Sequence, residues 1–484
     1  MKRAKSALVK RRNGVSRLMI ERINWPEPHL LRNGQLPSPF LRGRQERSLR
    51  ITFHISALAT LPQTEAEALA ALRELAHLPE IEALQTELGD FPCIEIGDLG
   101  DDADHVPINV TYENGSTMST AISPPRQFRR IAVKLVHEAR LDHPKTEAIL
   151  SDLLTAQAHC ALGQDILVTL SDTLLGHRDK SIVGKANPRK PTETAQIVGL
   201  FLRSRANYTY RASESSKMGF DRGLFYWVLV RHRLPGMWRY FSACVRAAEA
   251  RSDDTSGLGQ SILVRCARAM QARDAIGEQF YCPQDNNTRD SMMYHFDYLT
   301  MLLAGSLDAQ ARIAHRAYGM KGSERSASFR NSQFVRCLKS HGGKDLCCLA
   351  SGQNFRDIMT LLYTLRNTIH GSRLPSLAYG VSARRQESFA AVPAGFEKSV
   401  WEAAVRCGSP EKWGLIREHG LLLEPYTFSL VLVEECFKII DDVAKATDVS
   451  ALFPKASRIP TLLEKPPDNN IFREQVRRRL AVLG

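Results

Sequence analysis

Near residue 220 the hydrophobic periodicity of the chain changes, and this change limits the architectures open to it. Before it, short β-branched runs alternate with amphipathic stretches. The run SLRITFHISAL alternates in character and predicts a strand over 49–55. Residues 64–88 read as two helices broken at Pro79, FPCIEIGD as a short strand and RQFRRIAVKLVHEARL as a helix. From Lys145 there follow a helix of about 16 residues, a glycine-containing turn, a strand DILVT and a further turn or helix. Thr192 opens the last helix of this half, with Glu193 in its first turn. Beyond residue 220 strand signals nearly vanish, and helical periods cover 224–250, 258–276, 288–318, 329–339, 353–371, 396–406 and 424–446. At 484 residues the chain exceeds what a single hydrophobic core serves. The expected fold class is therefore α+β in two domains, an α/β domain over 48–215 followed by a mostly α-helical domain over 220–484.

Charge sets off a third region. Residues 1–50 hold 13 Lys and Arg against Glu21, Glu27 and Glu46, a net of +10 out of +13 for the whole chain. Residues 1–47 read as a basic N-terminal arm, and residues 61–105 reverse the sign, with 12 acids against Arg73 alone. Clustered cations release counterions from a polyanion, so the arm points to nucleic acid; packing along the acidic segment is the competing use of the same charge. The longest apolar stretches are eight residues, well short of the roughly 20 that cross a bilayer, so no membrane association is expected. The basic N-terminus has no apolar core of the signal-peptide kind. Ten scattered cysteines with no CxxC pair suggest reduced, buried thiols and a cytoplasmic setting.

The order of strand ITFHISAL, helices and SDLLTAQAHCALGQDILVTLSD resembles the frame of PIN-domain nucleases over roughly residues 48–210. That resemblance assigns Asp152 to the acid on a helix ahead of small residues and Asp172 to the last acid after the Val-Thr strand end. His54 stands where the family has its first acid; Glu95 or Asp98 supplies another only by a loose alignment. Paired carboxylates are what Mg²⁺ uses to bridge phosphate and activate water. With one acid replaced, the domain reads as PIN-like but degenerate, Asp152 and Asp172 are the only metal-ligand candidates, and no cofactor is called for. A surface carboxylate at Asp152 and a turn or cap role at Asp172 are the structural alternatives.

The sharpest constellation is NFRDIMTLLYTLRNTIHGSRLP. Its apolar positions repeat at helical spacing, Gly371 can end the helix and Pro375 follows. Arg366 and His370 are four residues apart, hence on one face. A cation that holds phosphate and an imidazole that moves protons are two tools for metal-free RNA cleavage. Here the chain resembles the HEPN family of all-α, RNA-targeting domains, whose signature is an Arg, a following polar residue and a His shortly after; the resemblance spans about 285–445. It implies Arg366 on phosphate, Asn367 orienting the pair and His370 as general acid or base. It further implies a homodimer with two such helices facing each other, and a link to defence or toxin endoribonucleases. Three residues separate Arg366 from His370, where the family usually has four to six. Capping of helix-end carbonyls by the two cations is the structural alternative.

No P-loop, HExxH, GxSxG or EF-hand pattern is present, which removes common nucleotide triphosphatases and zinc or serine hydrolases from consideration. The expected function is RNA engagement, with metal-independent endoribonuclease activity from Arg366, Asn367 and His370. The alternative is a non-catalytic adaptor or scaffold built on nuclease-like folds. If the basic arm contributes, removing residues 1–47 will weaken RNA binding and flatten its salt dependence, by about 0.7 in log–log slope for each phosphate that is no longer neutralised. Affinity measured across a salt series, with and without the arm, checks this; an unchanged slope would exclude the arm.

Overall fold

The computed structural model describes residues 38–41, 46–97, 105–112, 114–122, 125–138, 145–177, 183, 185–251, 253–371, 376–382, 385–417, 420–448, 452 and 474–484. Within these, the side chains of residues 125, 135–138, 145, 250–251, 368–371, 376–382, 385–387, 474–475 and 477 lie outside the description. The chain divides into two compact units. The first comprises the described residues up to Phe220 together with Tyr281–Pro283 and Val482–Gly484; the second comprises Asp221–Phe280 and Gln284–Ala481. The architecture is mixed α/β in the first unit and dominated by helices in the second.

The first unit is built on a seven-stranded sheet: β1 (Leu49–Phe53), β2 (Ile81–Gln85), β3 (Cys93–Ile96), β4 (Val106–Thr111), β5 (Thr117–Ile122), β6 (Ile166–Val168) and β7 (Pro188–Arg189). Their order across the sheet is β5-β4-β3-β2-β1-β6-β7. Strands β3, β2, β1, β6 and β7 are parallel, and β4 and β5 add an antiparallel hairpin at one edge. β1 and β6 are almost wholly buried, as parallel strands covered on both faces must be. Helices α1 (Gln63–Leu75), α2 (Pro125–Glu138), α3 (Lys145–Ala161), α4 (Asp172–Gly176) and α5 (Pro191–Ser204) complete the layers. Phe128 and Ala132 of α2 join Ile149, Leu150, Leu153 and Leu154 of α3 and Ile94, Ile108 and Val110 of the sheet in one core. The right-handed β1-α1-β2 crossover assigns α1 to the opposite face, and α5 packs on α1. A small ribbon of β8 (Thr209–Ala212) and β9 (Lys217–Gly219) ends the unit.

Two expectations fail here. The second helix expected within 64–88 is strand β2: IEALQ has helix-forming composition, but its five residues pair in register with β1, Leu49 opposite Ile81, and burial overrides propensity. The β4–β5 hairpin is absent from the expected elements, although VPINVT and TMSTAI flank an Asn-Gly pair, the commonest short-range hairpin signal.

The second unit contains α6 (Arg222–Arg233), α7 (Pro235–Arg251), α8 (Thr255–Tyr281), α9 (Asn286–Ala317), α10 (Ser332–Ser340), α11 (Lys344–Ser351), α12 (Gln353–Gly371), α13 (Glu397–Arg406), α14 (Pro425–Ala446) and α15 (Glu474–Val482). α14 is the buried spine: Phe428, Leu432, Cys436, Ile440 and Val443 are inaccessible, and it packs on α7, α9, α11 and α12. The expected helix over 224–250 is two helices, because Pro235 donates no N–H and restarts the helix. The first amides of α7, from Gly236 and Met237, donate to Asp441 Oδ1 of α14 at 2.7 and 3.0 Å, a cap supplied by another helix. α11 is a further helix beyond those expected, and strands do not vanish after residue 220. β10 (Ser376–Ser382), β11 (Arg385–Ala391), β12 (Leu415–Arg417) and β13 (Leu421–Leu423) form an antiparallel sheet in the order β10-β11-β13-β12. Among the described residues no helix is long and apolar enough to span a membrane, and the ten cysteines are unpaired.

Part of the stretch read as an arm belongs to the first unit. Phe40 is 1% exposed, stacks on Tyr281 at 4.9 Å and meets Phe201 edge-on at 5.6 Å. Arg47 makes a paired contact with Asp165 at 2.7 Å on each oxygen. Removing residues 1–47 therefore removes core as well as charge, whereas a deletion ending at residue 37 keeps Phe40 and Arg47. Phe40→Ala should cost about 3–5 kcal/mol by thermal or denaturant unfolding; a cost under about 1 kcal/mol would mean this segment does not pack in solution.

Candidate functional site

The sequence points to two clusters, and the structure places one in each unit. In the second unit α12 begins after Gly352 and buries Phe355, Ile358, Leu361, Leu362 and Leu365 along one face. Two carboxylates fix it. Asp357, 2% exposed, accepts Arg406 Nε and Nη2 of α13 at 2.9 and 2.8 Å and Gln353 Nε2 at 3.0 Å. Tyr363 donates its hydroxyl to Asp308 Oδ1 of α9 at 2.7 Å, and the oxygen lies 3.3 Å from Ala304 O. Burial and the Asp308 charge push the Tyr363 hydroxyl well above the usual tyrosine range, while Arg330 and Arg366 pull the other way.

Arg366 lies farther along the helix than Asp357, on its partly exposed side. Its Nη1 donates to Asn367 Oδ1 at 3.2 Å. Among the described residues it forms no ion pair with a carboxylate. His370 continues the helical backbone, so its position falls on the same side as Asn367; its side chain lies outside the described residues, and with it the Arg366–His370 separation.

The first unit brings His54 and Asp152 together. The strand order reverses between β1 and β6, and at that switch point the strands' C-terminal ends form the crevice where open α/β sheets bind ligands. His54, just past β1, donates its backbone N–H to Val168 O at 3.0 Å, and its ring Nδ1 meets Thr169 Oγ1 at 3.1 Å. Its Nε2 is 3.7 Å from Asp152 Oδ1 of α3. Ser171, the N-cap of α4, donates to Asp152 Oδ2 and accepts from Leu174 N at 3.2 Å; its own amide donates to Thr169 Oγ1 at 3.0 Å. Asp172 is exposed in the first turn of α4, apart from this network. Glu95 is an exposed residue of β3, and Asp98 lies outside the described residues.

This set does not suit a hard cation. Asp152 is occupied by Ser171, Asp172 faces solvent, and no three His, Cys, Asp or Glu side chains converge among the described residues. Burial holds the His54 imidazole down to about 4, outweighing the nearby carboxylate, and raises the Asp152 carboxyl against the hydrogen bonds from Ser171 and Thr173. The product is a closed polar plug: His54 is 2% exposed and neutral at pH 7. Sequence reasoning assigns no role to Ser171 or Thr169. The signal for Ser171 is nonetheless present, since Ser ahead of Asp-Thr-Leu is a strong N-cap.

In comparisons with known proteins, no family model, curated protein or solved structure matches the chain.

The buried histidines set a pH dependence. His159 of α3 is fully buried with no hydrogen-bond partner for either ring nitrogen, and burial lowers it to about 3. Both His54 and His159 titrate near 6.5 when unfolded, so below that pH the unfolded chain binds protons the folded one refuses. Stability should be full above about pH 7 and fall as pH drops toward 4, by up to about 1.4 kcal/mol per pH unit for each histidine. Urea midpoints at pH 7.5, 6 and 5 read this, and His159→Leu should flatten the profile; an identical profile in that variant would mean His159 is protonated in the fold.

Proposed function

We propose that the protein engages single-stranded RNA through its second unit and cleaves it without metal. The observation that carries this reading is Arg366, a half-buried residue whose guanidinium donates to Asn367 and forms no ion pair with a described carboxylate. A guanidinium in that state is a donor fork for the non-bridging oxygens of a phosphodiester. The ribose 2′-oxygen attacks the adjacent phosphorus as its proton departs, and the bond to the 5′-oxygen breaks as that oxygen gains a proton. The products are a 2′,3′-cyclic phosphate and a 5′-hydroxyl. In this scheme Arg366 stabilises charge on phosphorus, Asn367 holds Arg366, and His370 carries a proton; a second copy of the chain supplies the second histidine, in line with the homodimer implied by the HEPN-like signature. The first unit serves as a PIN-like, non-cleaving platform, a role favoured by the closed His54–Asp152–Ser171 network.

The test is incubation of an RNA pool in EDTA with the full chain. His370→Ala should abolish cleavage with little effect on RNA affinity, whereas Arg366→Ala should lower both, and circular dichroism should show all three proteins folded. DNA should survive, lacking the 2′-hydroxyl. An RNA pool left intact by a folded, dimeric wild type would favour the adaptor alternative, and cleavage persisting in His370→Ala would exclude this site.

A further inference from the structure

Beside Arg366 the second unit carries a groove of about 490 Å³ between the segment before α10, α10, the end of α11 and α12. Three arginines line it, Arg330, Arg336 and Arg356, each exposed, and no acidic side chain is among its lining residues. None of the three forms an ion pair with a described carboxylate. The Arg330 guanidinium lies over the Tyr363 ring at 4.8 Å, which fixes it without neutralising it. Arg336 Nε donates only to a backbone carbonyl, Ser332 O, at 3.2 Å. Asp357, next to Arg356 in sequence, is buried and paired with Arg406.

Helical period links the groove to the site. Positions 356, 360, 363 and 367 fall on one strip of α12, so the strip that forms the groove wall runs on to Asn367. The Arg330 guanidinium lies over the Tyr363 ring, and Arg366 follows Tyr363 by three residues on α12, close to one turn. The volume is in the range that takes a whole small ligand, larger than one phosphate needs, and its charges come from three separate elements. The wall has hydroxyls at Ser332 and Thr360, whereas its aromatic residues are buried and offer no open face for stacking bases. Spread cations, hydroxyl donors and no stacking platform match a run of phosphodiesters and give no readout of base identity.

We infer that this groove is a binding site for the sugar-phosphate backbone of single-stranded RNA, holding the nucleotides that flank the bond presented to Arg366, without sequence preference. The inference rests on the RNA reading above for its ligand, but its residues and its measurement are separate. Each arginine withdrawn from a single-stranded phosphate removes about 0.7 from the slope of log affinity against log salt.

The experiment uses the full chain with His370→Ala in every sample, so that turnover does not consume the probe. The probe is a fluorescein-labelled 12-nucleotide uridine RNA in EDTA, followed by anisotropy from 50 to 300 mM salt. Arg330→Ala, Arg336→Ala and Arg356→Ala combined should lower the slope by about 2 and weaken binding roughly 30–100-fold at 0.1 M salt. The corresponding triple lysine variant should keep at least half of the slope that the alanine variant loses, and thermal unfolding should show both variants folded. An unchanged slope in the alanine variant, or an equal loss in the folded lysine variant, overturns the groove. Absence of RNA binding by the parent overturns it as well, and vesicles of phosphatidylserine or a phosphoserine peptide that bind through the same arginines instead would name the wrong occupant. A fall in slope in a protein whose histidine-intact form never cleaves RNA defeats the cleavage reading alone; intact cleavage with an unchanged slope defeats the groove alone.

Discussion

The second unit depends on two carboxylates that hold α12, the buried Asp357 on α12 itself and the partly buried Asp308 on α9. A helix that packs one face against α9, α13 and α14 cannot leave a charge inside unpaired, since desolvating an ion costs several kcal/mol. Asp357 meets this with a bidentate Arg406, and Asp308 with the Tyr363 hydroxyl. Asp357 is thereby kept off the outward strip of the helix. Arg330, Arg336, Arg356 and Arg366 form no ion pair with a described carboxylate, so the pairing that satisfies the core also sets which cations stay open.

The first unit solves the opposite problem. Its sheet reverses order between β1 and β6, and the resulting crevice is where open α/β sheets place ligands. Here the crevice is filled by side chains that satisfy one another. His54, Thr169, Ser171 and Asp152 form a ring of contacts in which the imidazole is held neutral and the carboxylate already has a hydroxyl donor. An acid at position 54 would bring a second negative charge close to Asp152, and like charges there need a cation between them. A histidine removes that requirement, so the same strand ends close over a neutral network. The chemistry available to the two units thus differs for a reason that lies in single residues.

How far the sequence reveals this depends on what each signal measures. The helix at 353–371 is legible to the residue because its apolar period, its glycine end and the following Pro375 agree. The strand at 49 is legible from β-branched alternation, and the change of character near 220 agrees with a seven-stranded sheet in the N-terminal half and mostly helices in the C-terminal half. What fails is information held by partners distant in sequence. IEALQ becomes a strand only because β1 lies beside it, and the short strands LIR and LLL have too few residues to show any period. Likewise Asp152 stands out in the sequence as an acid on a helix ahead of small residues, but its partner Ser171 is 19 residues away and arrives through the β6–α4 turn. Spacing along a chain records neighbours on one element; it is silent on neighbours across a sheet.

The same distinction governs the charge. A net +13 with a sequence pI near 9.3 describes how many cations there are, and nothing about which are free. Arg316 is held by Glu324 at 2.7 Å and by Asp254, and Arg233 by Glu434 at 2.6 Å, so both are spent on structure. Arg330, Arg336, Arg356 and Arg366 lie within about 40 residues of one another in sequence and have no such partners among the described residues. Counting would rank all six alike. A polyanion discriminates between them, because a paired guanidinium must give up a carboxylate before it can accept a phosphate, whereas an unpaired one gives up only water and counterions. The affinity of this chain for nucleic acid should therefore follow the unpaired subset and its placement along α12, and two proteins with this same composition but differently paired arginines would differ in binding by orders of magnitude.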